Sequence, residues 1–413
     1  MSKIKIKNFG PIKEGYLEND GWMDVKKVTV FIGNQGSGKS TVAKLISTFT
    51  WIEKALVRGD YNAKWFSAKN ILKNQYLTYH RLENYVSNYA TLFDSTEIEY
   101  QGDAYHIKYE KGILIINEVK NNNYSLPQIM YVPAERNFIA NVKSPKELRL
   151  TSNSLKEFLA EFDKAKNELK SLIRLPINDV DVEYDKLNDV VNIKGSDYKL
   201  RLTESSSGFQ SLVPLFLVSW FHSNSVKKQS EITKEPMSGE ELERFKKGVA
   251  DIWSNNNLSE EQRRIALSVL SSKFNKSAFI NIVEEPEQNL FPTSQWEILK
   301  SLLEFNNLTS GNKLIMTTHS PYIINYLTLT IKASILYDIV KTEDDRNKLQ
   351  EIVPFDSAVK PNEIIIYELD ENNGVVKKLI TYDDLPSDEN KLNFELGESN
   401  ELFAQLIEIQ QGL

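Results

Sequence analysis

The sequence predicts an α/β fold built on a largely buried sheet. Three short apolar runs, Lys27–Ile32, Phe279–Val283 and Leu314–Thr317, are the main reason. Each is continuous rather than alternating, and each stops abruptly, at a glycine, at paired carboxylates or at a histidine. Runs of that length bounded by turn or polar signals fit strands covered on both faces. After the first run, Val42, Ala43, Leu45, Ile46 and Phe49 recur at helical spacing, which makes a strand-loop-helix unit.

Length and composition set the bounds. At roughly 150 residues per domain, 413 residues allow one large core with insertions, or two to three smaller ones. The absence of cysteine excludes a disulfide framework, a thiol nucleophile and thiolate-ligated metal. A net charge of -7 argues against a uniformly basic nucleic-acid coat, though not against a local groove. Lys3–Lys7 alternates with isoleucine like a half-wet strand, unlike a signal peptide. No apolar run approaches the roughly 20 residues that span a bilayer. The expectation is a soluble, cytoplasmic protein without membrane contact.

The loop after the first strand reads Gly33-Asn34-Gln35-Gly36-Ser37-Gly38-Lys39-Ser40, followed by Thr41. Glycines let successive backbone N–H groups curl around a phosphate, and a helix N-terminus adds its dipole. Lys39 would reach the β- and γ-phosphates, and the Ser40 hydroxyl would hold Mg²⁺. Residues 51–125 follow as an insertion. Ile98–Tyr100, Tyr105–Tyr109 and Ile113–Ile116 are expected there as antiparallel strands around Gly102 and Gly112 turns. His80 and His106 stand alone in it and read as structural histidines. Gln128–Pro133 is a further buried strand, ending in Glu135 and Arg136, where parallel sheets place functional groups.

Ser154 and Glu157 form a capping-box pattern at the head of a helix expected to run to about Ile173. A small meander, Val180–Tyr184, Val190–Lys194 and Tyr198–Leu202, comes next. Ser205-Ser206-Ser207-Gly208-Phe209-Gln210 then leads into an apolar helix, a second anion-binding N-terminus. Two more capping boxes, Ser238 with Glu241 and Ser259 with Gln262, mark a helical insertion over 223–276. The strand ending at Glu284 and Glu285 divides labour between a Mg²⁺ ligand and a base that orients water. His319 ends the next strand within reach of a phosphate oxygen or the attacking water. The tail, 336–413, is expected to hold strands at Ser334–Ile339 and Glu363–Leu369, a turn at Asn372-Asn373-Gly374 and a helix over Ser399–Ile409.

Taken in order, these residues resemble the ATP-binding-cassette class of P-loop ATPases, in the branch of chromosome-maintenance and DNA-repair heads. The resemblance runs from about Lys3 to Tyr326. It implies an ABC-type head with a mixed sheet, an antiparallel subdomain and helical insertions, without a long coiled coil. It makes Gly33–Ser40 the Walker A loop, Ser206–Gln210 the signature, Phe279–Glu285 Walker B and His319 the switch histidine. On that footing ATP is bound by Asn34, Gly36, Ser37, Gly38, Lys39, Ser40 and Thr41. Ser207, Gly208 and Gln210 are supplied from an opposing subunit, and Mg²⁺ falls to Ser40 and Glu284. Lys39, Glu285 and His319 are catalytic. Glutamate at 284 replaces the usual aspartate, and Phe209 replaces a signature glycine. No clear Q-loop glutamine is present, so Glu135 and Arg136 are the communication candidates. The core is expected over 1–50, 126–222 and 277–335.

Stand-alone heads of this kind are similar to the ATPase subunits of bacterial anti-phage systems such as Septu, its retron-associated versions and PARIS. That implies an ATP-dependent homodimer or larger homo-oligomer controlling a separate effector, such as a nuclease. The alternative is a DNA-repair or recombination ATPase clamping nucleic acid across the dimer, with Lys143, Lys146, Arg149, Arg263 and Arg264 as candidate basic contacts.

Overall fold

A computed structural model describes residues 2–86, 96–119, 124, 126–141, 150–232, 239–255, 257–259, 262–263, 266–267, 270 and 277–411. Ser238, Lys143, Lys146, Arg149 and Arg264 lie outside them. The central sheet has seven strands in the order Gly15–Tyr16, Val375–Lys378, Ile364–Leu369, Val28–Gly33, Lys313–Thr317, Ala278–Glu284 and Pro127–Val132. The five strands from Ile364–Leu369 to Pro127–Val132 are parallel. Their register places Glu284 opposite Thr317, Thr317 opposite Phe31 and Val283 opposite Val132. The loops beyond Val132, Gly33, Glu284 and Thr317 therefore leave one edge of the sheet together, which is where open parallel sheets bind ligands.

The three apolar runs do form central strands, and their side chains alternate between two cores. Val28, Val30 and Ile32 face a cluster shared with Met130, Phe158, Leu215, Leu299 and Ile324. Phe31, Ile282, Ile315 and Ile365 face the other, with Phe49 and Ile52 of the helix Lys39–Arg58. Each such side chain, fully buried, contributes about 1.5–3 kcal/mol. The second cluster also takes in a five-stranded antiparallel sheet. The meander expected after residue 180 is a four-stranded sheet joined by Ile173–Arg174. The longest described helix, Ser207–Ile232, has 26 residues, so none of the described helices is a coiled-coil arm.

Several expectations are corrected. Lys3–Lys7 pairs with Glu97–Gln101 in the antiparallel sheet, while Gly15–Tyr16 stands at the edge of the central sheet. Ile364–Leu369, from the expected extension, lies directly beside Val28–Gly33. Ser334–Ile339 is the end of the helix Pro321–Ile339, not a strand; its β-like letters continue a buried helical face that includes Ile324, Leu327 and Ile331. The helix after residue 150 is capped by Ser152, whose hydroxyl accepts from the Leu155 N–H, and it ends at Asn167. Glu157, the expected capping partner of Ser154, instead accepts a hydrogen bond from the Tyr79 hydroxyl. The last helix begins at Lys391, not Ser399. The Ser259 and Gln262 capping box forms as expected.

Candidate functional site

The loop 33–40 bends through positive φ at Gly33 (139°), Gly36 (80°) and Gly38 (103°), a path that L side chains rarely follow. A Cβ at Gly33 would come within 2.3 Å of the Leu369 carbonyl oxygen, whereas at Gly36 it would meet nothing within 4 Å. Gly33 is thus required by the neighbouring strand, and Gly36 leaves an open cradle. Ser37 is buried and its hydroxyl has no hydrogen-bond partner. Asn34 accepts the Gln35 N–H and donates to Glu371. Ser40 and Thr41 open the helix on the loop's inner side, Thr41 buried and Ser40 partly exposed.

Lys39 folds back over the loop, donating to the carbonyls of Gly33 and Asn34 at 2.8 Å each. Burial pushes its ammonium down to about 8, against the pull of Glu285, Glu287 and Glu371. Its Nζ also lies 3.3 Å from His319 Nδ1. On its other side His319 Nε2 is 3.4 Å from Glu285 Oε1. With Lys39 donating to Nδ1, a neutral imidazole would carry its proton on Nε2, toward Glu285. The hydrogen bond from His319 holds Glu285 below the usual carboxylate range despite its burial. The three residues expected to be catalytic are therefore brought into one chain of contacts.

Glu285 has φ 45°, uncommon for a non-glycine residue. Its N–H donates to the Thr317 carbonyl at 2.9 Å, and its own carbonyl accepts from Arg136 at 2.6 Å. Two anchors over-determine this backbone, as strained functional positions require. Arg136 is fully buried. It donates to the carbonyls of Glu284 (2.7 Å), Pro133 (3.4 Å) and Ser211 (3.0 Å) as well. Burial lowers it to about 10, against the pull of Glu287, Glu285 and Glu284. Glu135, in contrast, points into solvent. Of the two communication candidates, only Arg136 joins the acidic strand end to the helix Ser207–Ile232.

Glu284 is buried, with one oxygen accepting the Ala134 N–H at 3.1 Å and the other 3.6 Å from Lys44 Nζ. Among the described residues no group of three acidic, histidine or cysteine side chains could hold a metal ion. That donor set does not exclude Mg²⁺, which binds nucleotide sites through one or two protein oxygens, waters and phosphate oxygens. Ser40 and Glu284 are a hydroxyl and a carboxylate of that kind, and a cation there would take over the carboxylate oxygen that Lys44 faces.

Ser206 and Ser207 are exposed at the start of the helix Ser207–Ile232. Gly208 approaches the loop after Glu285 closely, since a Cβ there would lie 3.0 Å from the Asn289 carbonyl oxygen. Asn289 also donates to the Ser211 hydroxyl at 2.9 Å. Gln210 turns its amide back onto the Ser205 and Thr203 carbonyls, so it braces its own loop instead of presenting a donor outward. Among the described residues no hydrogen bond joins 205–210 to 33–41.

A family profile described as AAA ATPase domain matches residues 66–324, more than half of the chain. The chain belongs to the AAA ATPase domain family. The matched span holds Glu284, Glu285, His319 and the helix Ser207–Ile232, while the loop 33–40 lies before it. Among solved structures, this ATPase is similar to the SMC head domain from Thermotoga maritima, at 10% identity and a TM-score of 0.36, over 92% of this chain and 98% of that one. It is also similar to an SMC head with an extended coiled coil bound to the C-terminal domain of ScpA, from Pyrococcus furiosus. There the identity is 11% and the TM-score 0.34, over 98% and 100% of the two chains. A dimeric ATP-binding cassette bound to ADP and Pi matches at 12% and 0.26, over 92% and 100%. No curated protein matches the chain.

Three residues of the ATPase site were not foreseen. Glu287 accepts from the Thr318 hydroxyl and the His319 N–H, both at 2.8 Å, so it positions the histidine; burial raises it above the usual range. Its place in Glu284-Glu285-Pro286-Glu287 was the available signal. Lys44 lies one helical turn beyond Ser40. Glu371 bridges Asn34 and Lys391 from a turn far along the chain, where the sequence gives no signal. Among the described residues no helix is long and apolar enough to cross a membrane.

Proposed function

We propose that this ATPase is a nucleotide-operated assembly switch of the ABC type, in which two copies share each ATP. The loop 33–40 and Lys39 of one copy cradle the phosphates, and the exposed Ser207 and half-buried Gly208 of the other cap the γ-phosphate. Supporting this above all is the division of the donors: Lys39, Glu285 and His319 converge, while the serine-rich helix start bonds only to its own surroundings and faces solvent. A helix N-terminus exposed to solvent is an anion donor without an anion from its own chain.

In the reaction, Glu285 accepts a hydrogen bond from water and orients it for in-line attack, its ionised state favoured by His319. Lys39 releases the Gly33 and Asn34 carbonyls to meet phosphate oxygens, whose negative charge favours its ammonium form. Mg²⁺, held by Ser40 and Glu284, would neutralise charge developing on the β- and γ-phosphates. Loss of the γ-phosphate removes the contact shared by both copies, so turnover changes assembly. The output we infer, from the resemblance to anti-phage ATPases, is control of a separate effector protein in antiviral defence. The DNA-clamp alternative gains no support: Arg263, the one candidate basic contact among the described residues, turns toward Trp253 and the Asn255 carbonyl.

Mixing two inactive variants tests the shared site. Lys39→Ala and Ser207→Arg chains, each inactive alone, should regain part of the wild-type ATPase rate together, because one site of a mixed pair carries neither defect. If subunit exchange is demonstrated and activity stays absent, the shared site is wrong.

A further inference from the structure

Among the described residues, the helix Lys391–Gln411 carries an exposed apolar row. Leu402, Phe403, Leu406 and Ile409 are 54%, 64%, 63% and 62% exposed. The spacing of 402, 406 and 409 puts them on one face, with Phe403 beside it. Single exposed leucines are ordinary, but a continuous row on one helix marks a docking face.

The charges on the same helix say what covers it. From Leu392 to Gln411 every ionisable side chain is a glutamate: Glu395, Glu398, Glu401 and Glu408. A second copy of the helix laid along the row would bring glutamate against glutamate, a destabilising arrangement. An amphipathic helix whose apolar stripe is edged with lysine or arginine would find opposite charge along the flank that carries Glu401 and Glu408, and at Glu395 and Glu398 on the turns before the row. At its root the helix is tied to the nucleotide loop, because Lys391 pairs with Glu371 at 2.5 Å and Glu371 accepts from Asn34.

We propose that Lys391–Gln411 is the docking element for a different protein, which presents a basic amphipathic helix to it. This deepens the effector reading above and rests on it. The test uses the full chain and a labelled synthetic helix of about 18 residues, or five turns, with leucines on one face and lysines elsewhere. A glutamate counterpart of the same pattern is the control. Fluorescence anisotropy should show binding of the lysine peptide that weakens with added salt, and no binding of the glutamate peptide. Leu402→Ser/Phe403→Ser/Leu406→Ser should lose at least about 10-fold in affinity while its ATPase rate stays at wild type. Glu401→Lys/Glu408→Lys should shift preference toward the glutamate peptide. The proposal is overturned by failure of the lysine peptide to bind, by equal binding of both peptides, or by binding that survives the triple serine change. Self-association that the serine variant abolishes would assign the face to a second copy and overturn it equally. Since the mixing experiment reads ATPase activity alone, failure of the docking face and failure of the shared site are distinguishable.

Discussion

Replacing Arg136 by lysine separates a structural role from a mechanical one. The guanidinium donates to four carbonyls, on Pro133, Ser211, Glu284 and Glu285, in a fully buried position. A lysine keeps the charge but can satisfy only one or two of them. At least two carbonyls lose a donor, at about 1–3 kcal/mol each, so a destabilisation of about 3 kcal/mol is expected. At roughly 2.1 cal/mol/K per residue over 413 residues, or about 1 °C per kcal/mol, the melting temperature should fall by about 3–4 °C. The larger effect should be on rate. Glu285 holds its φ of 45° partly through the carbonyl that Arg136 grips, and a displacement of about 1 Å at a reacting group can cost about 100-fold. Nucleotide affinity should change little, because Arg136 makes no hydrogen bond to the loop 33–40. The assays are urea unfolding, titration with a fluorescent ATP analogue, and steady-state hydrolysis. A folded Arg136→Lys protein with lowered stability and undiminished kcat would refute the coupling and leave Arg136 a core filler.

Other expectations follow from the same geometry. Glu285→Gln should bind ATP normally and accumulate the closed oligomer in light scattering with hydrolysis down at least about 100-fold, whereas Lys39→Ala should show neither binding nor closure. Because burial lowers Lys39 to about 8 in the folded chain, its penalty on stability is fully present below pH 8. It is relieved between pH 8 and about 10.5, where only the unfolded chain still holds the proton. The wild type should therefore gain urea resistance relative to Lys39→Met over that window, and a constant difference would argue against a desolvated ammonium. Glu161, which burial alone would raise, is brought down to about 2 by His222 and Lys164. Its stabilisation is present above about 4.5 and lost as pH falls toward 2, so Glu161→Gln should flatten acid unfolding in that range. Gly102→Ala should lower the melting temperature, since its Cβ would lie 2.0 Å from the Glu53 carboxylate.

The sequence was most legible where chemistry and backbone are set by neighbours in the chain. A buried strand ending at Gly33 or at Glu284 and Glu285 announces itself, because a continuous apolar run and an abrupt polar stop have few other uses. Ser205-Ser206-Ser207-Gly208 reads locally as a helix start, and the helix Ser207–Ile232 begins there. What could not be read is what distant segments decide. Lys3–Lys7 looks like any half-wet strand, and only the fold gives it Glu97–Gln101 as a partner. Ser154 and Glu157 spell a capping box, yet Tyr79 claims the glutamate and Ser152 takes the cap. The letters of Ser334–Ile339 favour a strand, and burial along a helical face overrides them. Glu371 reaches Asn34 from a turn whose composition advertises only a turn.

The position of Ile364–Leu369 beside Val28–Gly33 also bears on how the chain comes into being. Asp24 and Tyr367, hydrogen-bonded across that junction, are 343 residues apart. On the ribosome Val28–Gly33 emerges long before either of its neighbours, Lys313–Thr317 or Ile364–Leu369, so both of its edges wait unpaired through that interval. Long-range parallel pairing of this kind is slow, and the waiting edge is open to the wrong neighbour. Production of active protein should accordingly depend on chaperones, and shortening the chain before residue 364 should yield aggregates in place of a smaller working enzyme.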